Sequence, residues 1–165
     1  MLMIATLLVA LDGSSRAPGV FDAAAEVARR FEAALYPFRA IFVPPEFPAA
    51  GAGSQRDPLP EYLSKEAYEE LLLLAARAPE VAVALPVVRV GQPWRTILEA
   101  SDELDVDLIV LGSHGYHGLD RILGTTAARV ANLARRNVLV VHDRTAHPGV
   151  VSPSTHSAYR QQTST

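Results

Sequence analysis

A glycine-rich loop between an apolar run and a segment with helical spacing constrains the fold of this chain most. Residues 108–111 are all aliphatic and lead into Gly112, and Gly124 with Thr125 and Thr126 opens the segment that follows. In that segment small apolar residues recur on one helix face: Ala127, Val130, Ala131 and Ala134. A strand that ends in glycines and continues into a helix is typical of phosphate sites, because glycine lets the backbone approach an anion and the first helical N–H groups point at it. A tight turn with a capped helix and no ligand is the alternative.

Two common phosphate loops do not match this stretch. The P-loop places Gly-Lys-Ser/Thr at the helix start, whereas the single lysine of the chain is Lys65, far from the loop. The dinucleotide fingerprint G-x-G-x-x-G opens its helix directly, but here Gly112 and Gly115 are followed by a longer gap before Gly124. The pattern therefore predicts a phosphate site without a lysine on the phosphates.

Apolar runs alternate with segments of helical spacing along most of the chain. The predicted strands cover residues 4–11, 36–43, 81–90, 108–111 and 137–141. The predicted helices cover about residues 20–31, 62–78, 94–101 and 127–134. With right-handed crossovers, this alternation predicts an α/β fold with a doubly wound, five-stranded parallel sheet and helices on both faces.

The end of the chain differs in composition from the rest. Residues 144–165 are rich in Pro, Ser, Thr and Gln and show no apolar period, which predicts a disordered tail after a single domain at residues 1–143. The histidines of the tail, His147 and His156, do not indicate a metal site.

Asp12 follows the first predicted strand directly and begins a short polar loop. In open α/β sheets, ligands bind at the carboxyl ends of strands where the strand order reverses, which favours Asp12 as a ligand contact. An ordinary turn or cap residue is the alternative interpretation.

Composition excludes several classes of function. A net charge of −3 gives no electrostatic footprint for nucleic acid or an anionic membrane. The chain has no cysteine, which excludes disulfides and thiolate metal sites. The apolar start, residues 1–11, is too short to span a bilayer and has no basic residue before it, so it predicts a buried first strand in a cytoplasmic protein.

The loop histidines do not form a recognisable catalytic or metal set. His114 and His117 stand three residues apart, but no cysteine or carboxylate completes a tetrahedral set around them. No serine and acid accompany either histidine at a spacing that indicates a triad. The only cation inside the loop is Arg121, so we expect no catalytic residues and no metal site made by the protein alone.

The positions of Gly112, Gly115 and Gly124-Thr125, before a helix and a closing valine-rich strand, resemble the ATP-binding signature of the universal stress proteins. That signature is G-x2-G-x9-G-[Ser/Thr], and here residues 116–123 give eight intervening positions instead of nine. The likeness covers about residues 4–142. It implies a Rossmann-like sheet of order 3-2-1-4-5, in which Asp12 and Gly112 face each other across the crevice between the first and fourth strands.

The resemblance implies an ATP site, with Mg²⁺ bound through the phosphates. Ala10 and Asp12 would line the adenosine pocket, with Asp12 near the ribose, and the backbone of Val43 would meet the adenine edge. The residues implied under the ribose and first phosphates are Gly112, Ser113, His114 and Gly115. Those implied at the outer phosphates are Gly124, Thr125 and Thr126.

Three functions follow from these observations. The first is a stress-response switch that binds ATP with little or no turnover. The second is a nucleotide-independent dimeric interaction module, which the shortened loop favours. The third is a slow ATP hydrolase that uses bound Mg²⁺. Universal stress proteins pair through their last strand, so the resemblance implies a homodimer through Val138–Val141, which would otherwise be an exposed apolar edge.

Overall fold

The structure is a computed structural model that describes residues 3–43, 59–113 and 124–142, in which strands and helices alternate along the chain. The strands are β1 (Thr6–Ala10), β2 (Ala34–Ile41), β3 (Val87–Val90), β4 (Leu108–Gly112) and β5 (Asn137–Val141). The helices are α1 (Ala17–Phe31), α2 (Leu59–Ala75), α3 (Pro93–Glu103) and α4 (Thr125–Leu133).

These strands form one parallel sheet in the order β3-β2-β1-β4-β5. In the centre, Val9 of β1 pairs with Pro37 of β2 on one side and with Val110 of β4 on the other. The chain therefore winds outward from β1 in both directions, and a crevice opens between β1 and β4 at their carboxyl ends. This confirms the predicted fold class and the order 3-2-1-4-5.

Each face of the sheet carries its own apolar core. Val9 of β1 points to the face covered by α1 and α2, where Phe21 is fully buried. Leu8, its neighbour in β1, points to the opposite face and belongs to a cluster with Ile97 of α3 and Val130 of α4. Because the central strands are covered on both faces, their residues form nearly continuous apolar runs in the sequence.

The prediction of one continuous third strand over residues 81–90 is wrong. β3 holds only the last four of these residues, and upstream a single bridge joins Val83 to Leu35 of β2. Between that bridge and β3, both segments carry a proline, Pro37 and Pro86. Neither proline has an N–H to donate, so the ladder is interrupted there. Because β2 begins at Ala34, two residues before the predicted start at residue 36, Pro37 lies within the strand.

The other boundaries differ from the predictions by a few residues. α1 begins earlier than expected, at Ala17, because Pro18 suits the first helical turn. Residues 114–123, which include most of the glycine loop, and the predicted tail at 144–165 lie outside the described residues. No helix in the described ranges is long and apolar enough to cross a membrane.

Candidate functional site

A cavity of about 750 Å³ lies at the carboxyl ends of β1 and β4. The two strands are neighbours, and the chain leaves them in opposite directions across the sheet. The walls also include the starts of α1, α3 and α4 and the end of β5. A cavity of this volume is large enough for a small organic ligand.

The side of the cavity nearest β2 and α3 is apolar. Its walls there are formed by Phe38, Ala40, Phe42, Pro93 and Ile97. Phe42 follows the end of β2 and remains 48% exposed although it is aromatic. This side can therefore bury a flat apolar group between a strand end and a helix start.

The β1–α1 turn supplies a polar wall. Asp12 lines the cavity, and its Oδ1 accepts a hydrogen bond from the Ser14 N–H at 3.0 Å. Ser14 in turn accepts hydrogen bonds from Ala17 at its carbonyl and from the Arg16 N–H at its hydroxyl oxygen. Gly13, which lies between Asp12 and Ser14, has φ +73°, a backbone conformation that favours glycine. These hydrogen bonds lie within the turn, and the Asp12 carboxylate lies at the cavity wall.

The start of α4 forms the opposite polar wall. Gly124 is the N-cap, and no side chain caps the helix or places a negative charge in its first turn. The first intrahelical bond runs from Ala128 to Gly124, so the N–H groups of residues 125–127 have no acceptor within the helix. The Gly124 N–H donates to the Ser113 carbonyl at 2.7 Å, which ties this helix start to the end of β4. Such a helix start favours an anion.

Most of the predicted site residues come together in this cavity. Those that line it are Ala10, Asp12, Gly112, Ser113, Gly124, Thr125 and Thr126. Val43 is half-buried and is not among the lining residues, because β2 ends at Ile41 and Phe42 forms the wall. His114 and Gly115 lie outside the described residues, as does His117.

Two basic side chains that were not predicted from the sequence also line the cavity. Arg16 is the N-cap residue of α1, and His142 follows the last residue of β5. Both follow the carboxyl end of a predicted strand. Because ligands bind at these ends in open α/β sheets, the reasoning that favoured Asp12 as a ligand contact applies to them as well. They place two basic side chains in the same cavity as Asp12 and the α4 start.

The tryptophan lies beside the cavity, next to the lining residue Pro93. Trp94 packs against the core cluster on the α3–α4 face. The guanidinium groups of Arg95 and Arg129 lie 5.5 and 5.4 Å from the centre of its ring. Arg129 belongs to α4 and Arg95 to α3, so the ring links the two helices that wall the cavity.

The described residues contain no group of three or more His, Cys, Asp or Glu side chains that could hold a metal ion. The lining residues that carry side-chain oxygen atoms are Asp12, Ser14, Ser15, Ser113, Thr125 and Thr126. These walls offer hydrogen bonds and charge to a polar ligand.

Comparison with known proteins identifies the family. The model of the universal stress protein family matches residues 3–142. Universal stress protein A homolog 1 of Coxiella burnetii is 34% identical over 143 residues, covering 82% of this chain and 94% of that protein. Universal stress protein MJ0531 of Methanocaldococcus jannaschii is 32% identical, covering 82% of this chain and 80% of that one.

Solved structures of universal stress proteins also match this chain. The match to a universal stress protein in complex with cAMP covers 85% of this chain and 98% of that chain, with 26% identity and a TM-score of 0.64. The match to a protein of the universal stress protein family from Burkholderia pseudomallei covers 84% of this chain and 96% of that chain, with 27% identity and a TM-score of 0.62. The sheet order, the cavity between β1 and β4 and these matches lead to one conclusion: the chain belongs to the universal stress protein family.

Proposed function

We propose that this protein binds ATP in the cavity between β1 and β4 and acts as a stress-response switch with little or no turnover. The observation that carries the proposal is the division of the cavity into an apolar side at β2 and α3 and polar walls at the β1–α1 turn and the α4 start. A nucleotide has the same division, with an apolar base, a polar sugar and charged phosphates. The related structure in complex with cAMP supports an adenine nucleotide as the ligand.

The proposed orientation follows from this division. The base lies among the apolar side chains of β2 and α3, with the backbone of Val43, next to the lining residue Phe42, at its edge, and the ribose lies against Asp12. The phosphates lie at the α4 start, where backbone N–H groups and the hydroxyls of Thr125 and Thr126 donate hydrogen bonds. Arg16 lines the same cavity and adds a positive charge to the phosphate end. The loop residues His114 and Gly115 complete the proposed site.

Mg²⁺ fits the site only as a companion of the phosphates. The ion prefers oxygen ligands and retains water when it binds phosphate. Among the side-chain oxygens on the walls, the hydroxyls of Thr125 and Thr126 and the Asp12 carboxylate would complete its shell. Bound there, Mg²⁺ would supply charge neutralisation for the phosphates.

The cavity walls favour binding over hydrolysis. Efficient phosphoryl transfer needs a positioned cation and a group that orients the attacking nucleophile. Among the lining residues, Arg16 and His142 are the basic groups, and no lysine is present. We therefore expect ATP turnover that is slow at most, with a nucleotide-independent interaction module as the second candidate because the loop is one residue short.

Thermal denaturation with and without ATP and Mg²⁺ tests the proposal. A ligand that binds only the folded state at a hundredfold excess over its Kd stabilises it by about 2.7 kcal/mol, so we expect a clear rise in the melting temperature. AMP and GTP serve as comparisons for phosphate number and base. Absence of a shift with every nucleotide would support the interaction module, and repeated turnover of ATP would support the hydrolase.

Two matched variants connect this result to the cavity. Ala10→Leu adds a larger side chain to the cavity wall at the carboxyl end of β1, and we expect it to abolish the ATP-dependent shift. Ala5→Leu adds the same atoms just before β1, where residue 5 is exposed and far from the cavity. Loss of the shift in both variants, or in neither, would place the nucleotide elsewhere.

The proposal includes a homodimer through β5. This strand is an edge of the sheet, and Leu139 in it is 37% exposed. An unpaired apolar edge favours association with another chain. Leu139→Lys should convert a dimer to a monomer in analytical ultracentrifugation, while Val90→Lys on the opposite edge strand β3 should not. A monomeric mass for the unaltered protein would refute this part of the proposal.

A cytoplasmic location is part of the same proposal. A switch that responds to ATP must lie in a compartment that supplies ATP. Cell fractionation followed by immunodetection tests the location, and recovery of the protein outside the cytoplasmic fraction would contradict it.

A further inference from the structure

Arg39 is a buried charge on β2 that the proposed nucleotide site does not use. The residue is 7% exposed and is absent from the cavity lining. Its Nη1 donates a hydrogen bond to Oε2 of Glu70 on α2 at 2.5 Å. Its Nε is fully buried and has no hydrogen-bond partner among the described residues. Burying a guanidinium with incomplete hydrogen bonding costs folding free energy. An apolar residue at this position would avoid that cost.

The guanidinium of Arg39 lies directly against the β1–α1 turn. A Cβ placed on Gly13 would stand 3.0 Å from Nη1, 3.1 Å from Cζ and 3.3 Å from Nη2 of Arg39. Because these three distances are nearly equal, the planar group presents its face to the Gly13 backbone. Gly13 stands between Asp12, which lines the cavity, and Ser14, which donates its N–H to the Asp12 carboxylate.

We propose that Arg39 is a positioning residue for the cavity: its guanidinium supports the β1–α1 turn from beneath and thereby sets the position of the Asp12 carboxylate. Glu70 holds the guanidinium in place from α2. The contact is possible only because residue 13 has no side chain, and its positive φ independently requires glycine. The effect on a ligand rests on the proposed function, whereas the effect on the turn does not.

The first experiment measures the turn without any nucleotide. Hydrogen exchange of the Ser14 amide reports the bond that closes the turn, since that amide donates to the Asp12 carboxylate. Arg39→Met keeps an extended apolar side chain but removes the flat charged group, and we expect Ser14 exchange to accelerate about tenfold through local opening. Leu71→Ala is the control, because it removes a fully buried side chain of α2 and lowers global stability without touching the turn.

The second experiment measures the Kd for ATP by calorimetry. We expect Arg39→Met to raise the Kd about tenfold, Arg39→Lys to restore part of the affinity, and Leu71→Ala to leave the Kd unchanged although it lowers the melting temperature. A merely structural arginine would lower the melting temperature of Arg39→Met but leave both Ser14 exchange and the Kd at their unaltered values. That result would overturn the proposal.

A double-mutant cycle tests the contact itself. Gly13→Ala places a methyl group against the guanidinium, so we expect it to raise Ser14 exchange and the Kd as Arg39→Met does. In the double variant the methyl group meets a more flexible side chain, while the strain of a positive φ at residue 13 remains, so the two effects should be less than additive. Additive effects would mean that residues 13 and 39 act independently and would overturn the proposal.

The two readouts separate this inference from the proposed function. If the unaltered protein binds no nucleotide, the proposed function fails and Ser14 exchange alone decides the role of Arg39. If the unaltered protein binds ATP and the Arg39 variants match it in both readouts, the positioning role fails and the proposed function stands. Should Arg39→Met not fold, Arg39→Lys and Gly13→Ala provide the same comparison.

Discussion

Replacing Asp107 with asparagine removes a carboxylate that joins the starts of β1 and β4. Its Oδ2 accepts hydrogen bonds from the Ala5 N–H at 2.8 Å, the Thr6 N–H at 3.0 Å and the Thr6 hydroxyl at 3.1 Å. A hydrogen bond to a charged group contributes about 1.5–3 kcal/mol when it is shielded from water. Asp107 is only half-buried and asparagine keeps one acceptor oxygen, so we expect Asp107→Asn to lower the free energy of unfolding by about 1–2 kcal/mol near pH 7.

The same carboxylate makes this difference depend on pH. The Ala5 N–H is the main cause that holds the pKa of Asp107 below its ordinary value of 3.8, with Thr6 and Arg136 acting in the same direction and burial against them. Because the folded pKa is the lower one, the unfolded chain binds the proton first as the pH falls. The contribution of Asp107 is therefore complete above about pH 5, declines through the ordinary pKa and is lost below the folded pKa.

Urea unfolding of both proteins between about pH 7 and about pH 3 measures this contribution. The two free energies of unfolding should differ near neutral pH and converge as the pH falls. A difference that stays constant with pH would refute the reasoning, because it would show that the charge of Asp107 contributes nothing. Asp107 lies at the amino-terminal edge of the sheet, opposite the cavity, so the ATP-dependent shift should persist in the variant.

Gly124→Val should abolish the ATP-dependent shift, because a β-branched side chain at the α4 start fills space that a phosphate needs, and an unchanged Kd would remove this position from the site. Arg16→Gln should weaken ATP about tenfold and adenosine much less in calorimetry, since only ATP has phosphates to pair with it; equal losses would contradict that role. Gly19→Ala should raise the free energy of unfolding by about 0.5–1 kcal/mol, because its Cβ meets nothing within 4 Å in α1. Gly91→Ala should lower it by about 1–3 kcal/mol, since φ is +152° and the Cβ would lie 2.9 Å from Thr96 Cγ2. Denaturant unfolding checks this pair, and the reverse order would contradict it.

The order of strands and helices could be predicted because burial on both faces leaves a direct mark on the sequence. A short aliphatic run such as residues 108–111, bounded by turn residues, is typical of a strand that is covered on both faces, and polar loops separate these runs cleanly. The sheet order came from the resemblance to the family. The predicted strands and this sheet order together placed Asp12 and Gly112 at one crevice, and both residues line the cavity.

The interruption of the β2–β3 ladder depends on information that no single segment contains. Pro86 by itself indicates an edge position or a bulge in the third strand, but only the register places it opposite Pro37. The basic lining residues were missed for a related reason. A loop arginine such as Arg16 has the same sequence context whether it faces a cavity or water, and only the fold decides between them.

The burial of Arg39 also could not be predicted from its own segment of sequence. A single charged residue in an apolar strand is usually assigned to the solvent side, yet this one is buried beneath Gly13 and pairs with Glu70. Its pairing partner is 31 residues away in sequence, so no local pattern connects them.

The position of Trp94 has a spectroscopic consequence. It is the single tryptophan of the chain, and guanidinium groups carried by α3 and α4 lie over its ring. Indole emission is sensitive to nearby charge and to hydration, so the fluorescence of the unmodified protein reports on the separation of these two helices. Both helices also contribute walls to the cavity. The molecule therefore carries its own optical probe beside the cavity.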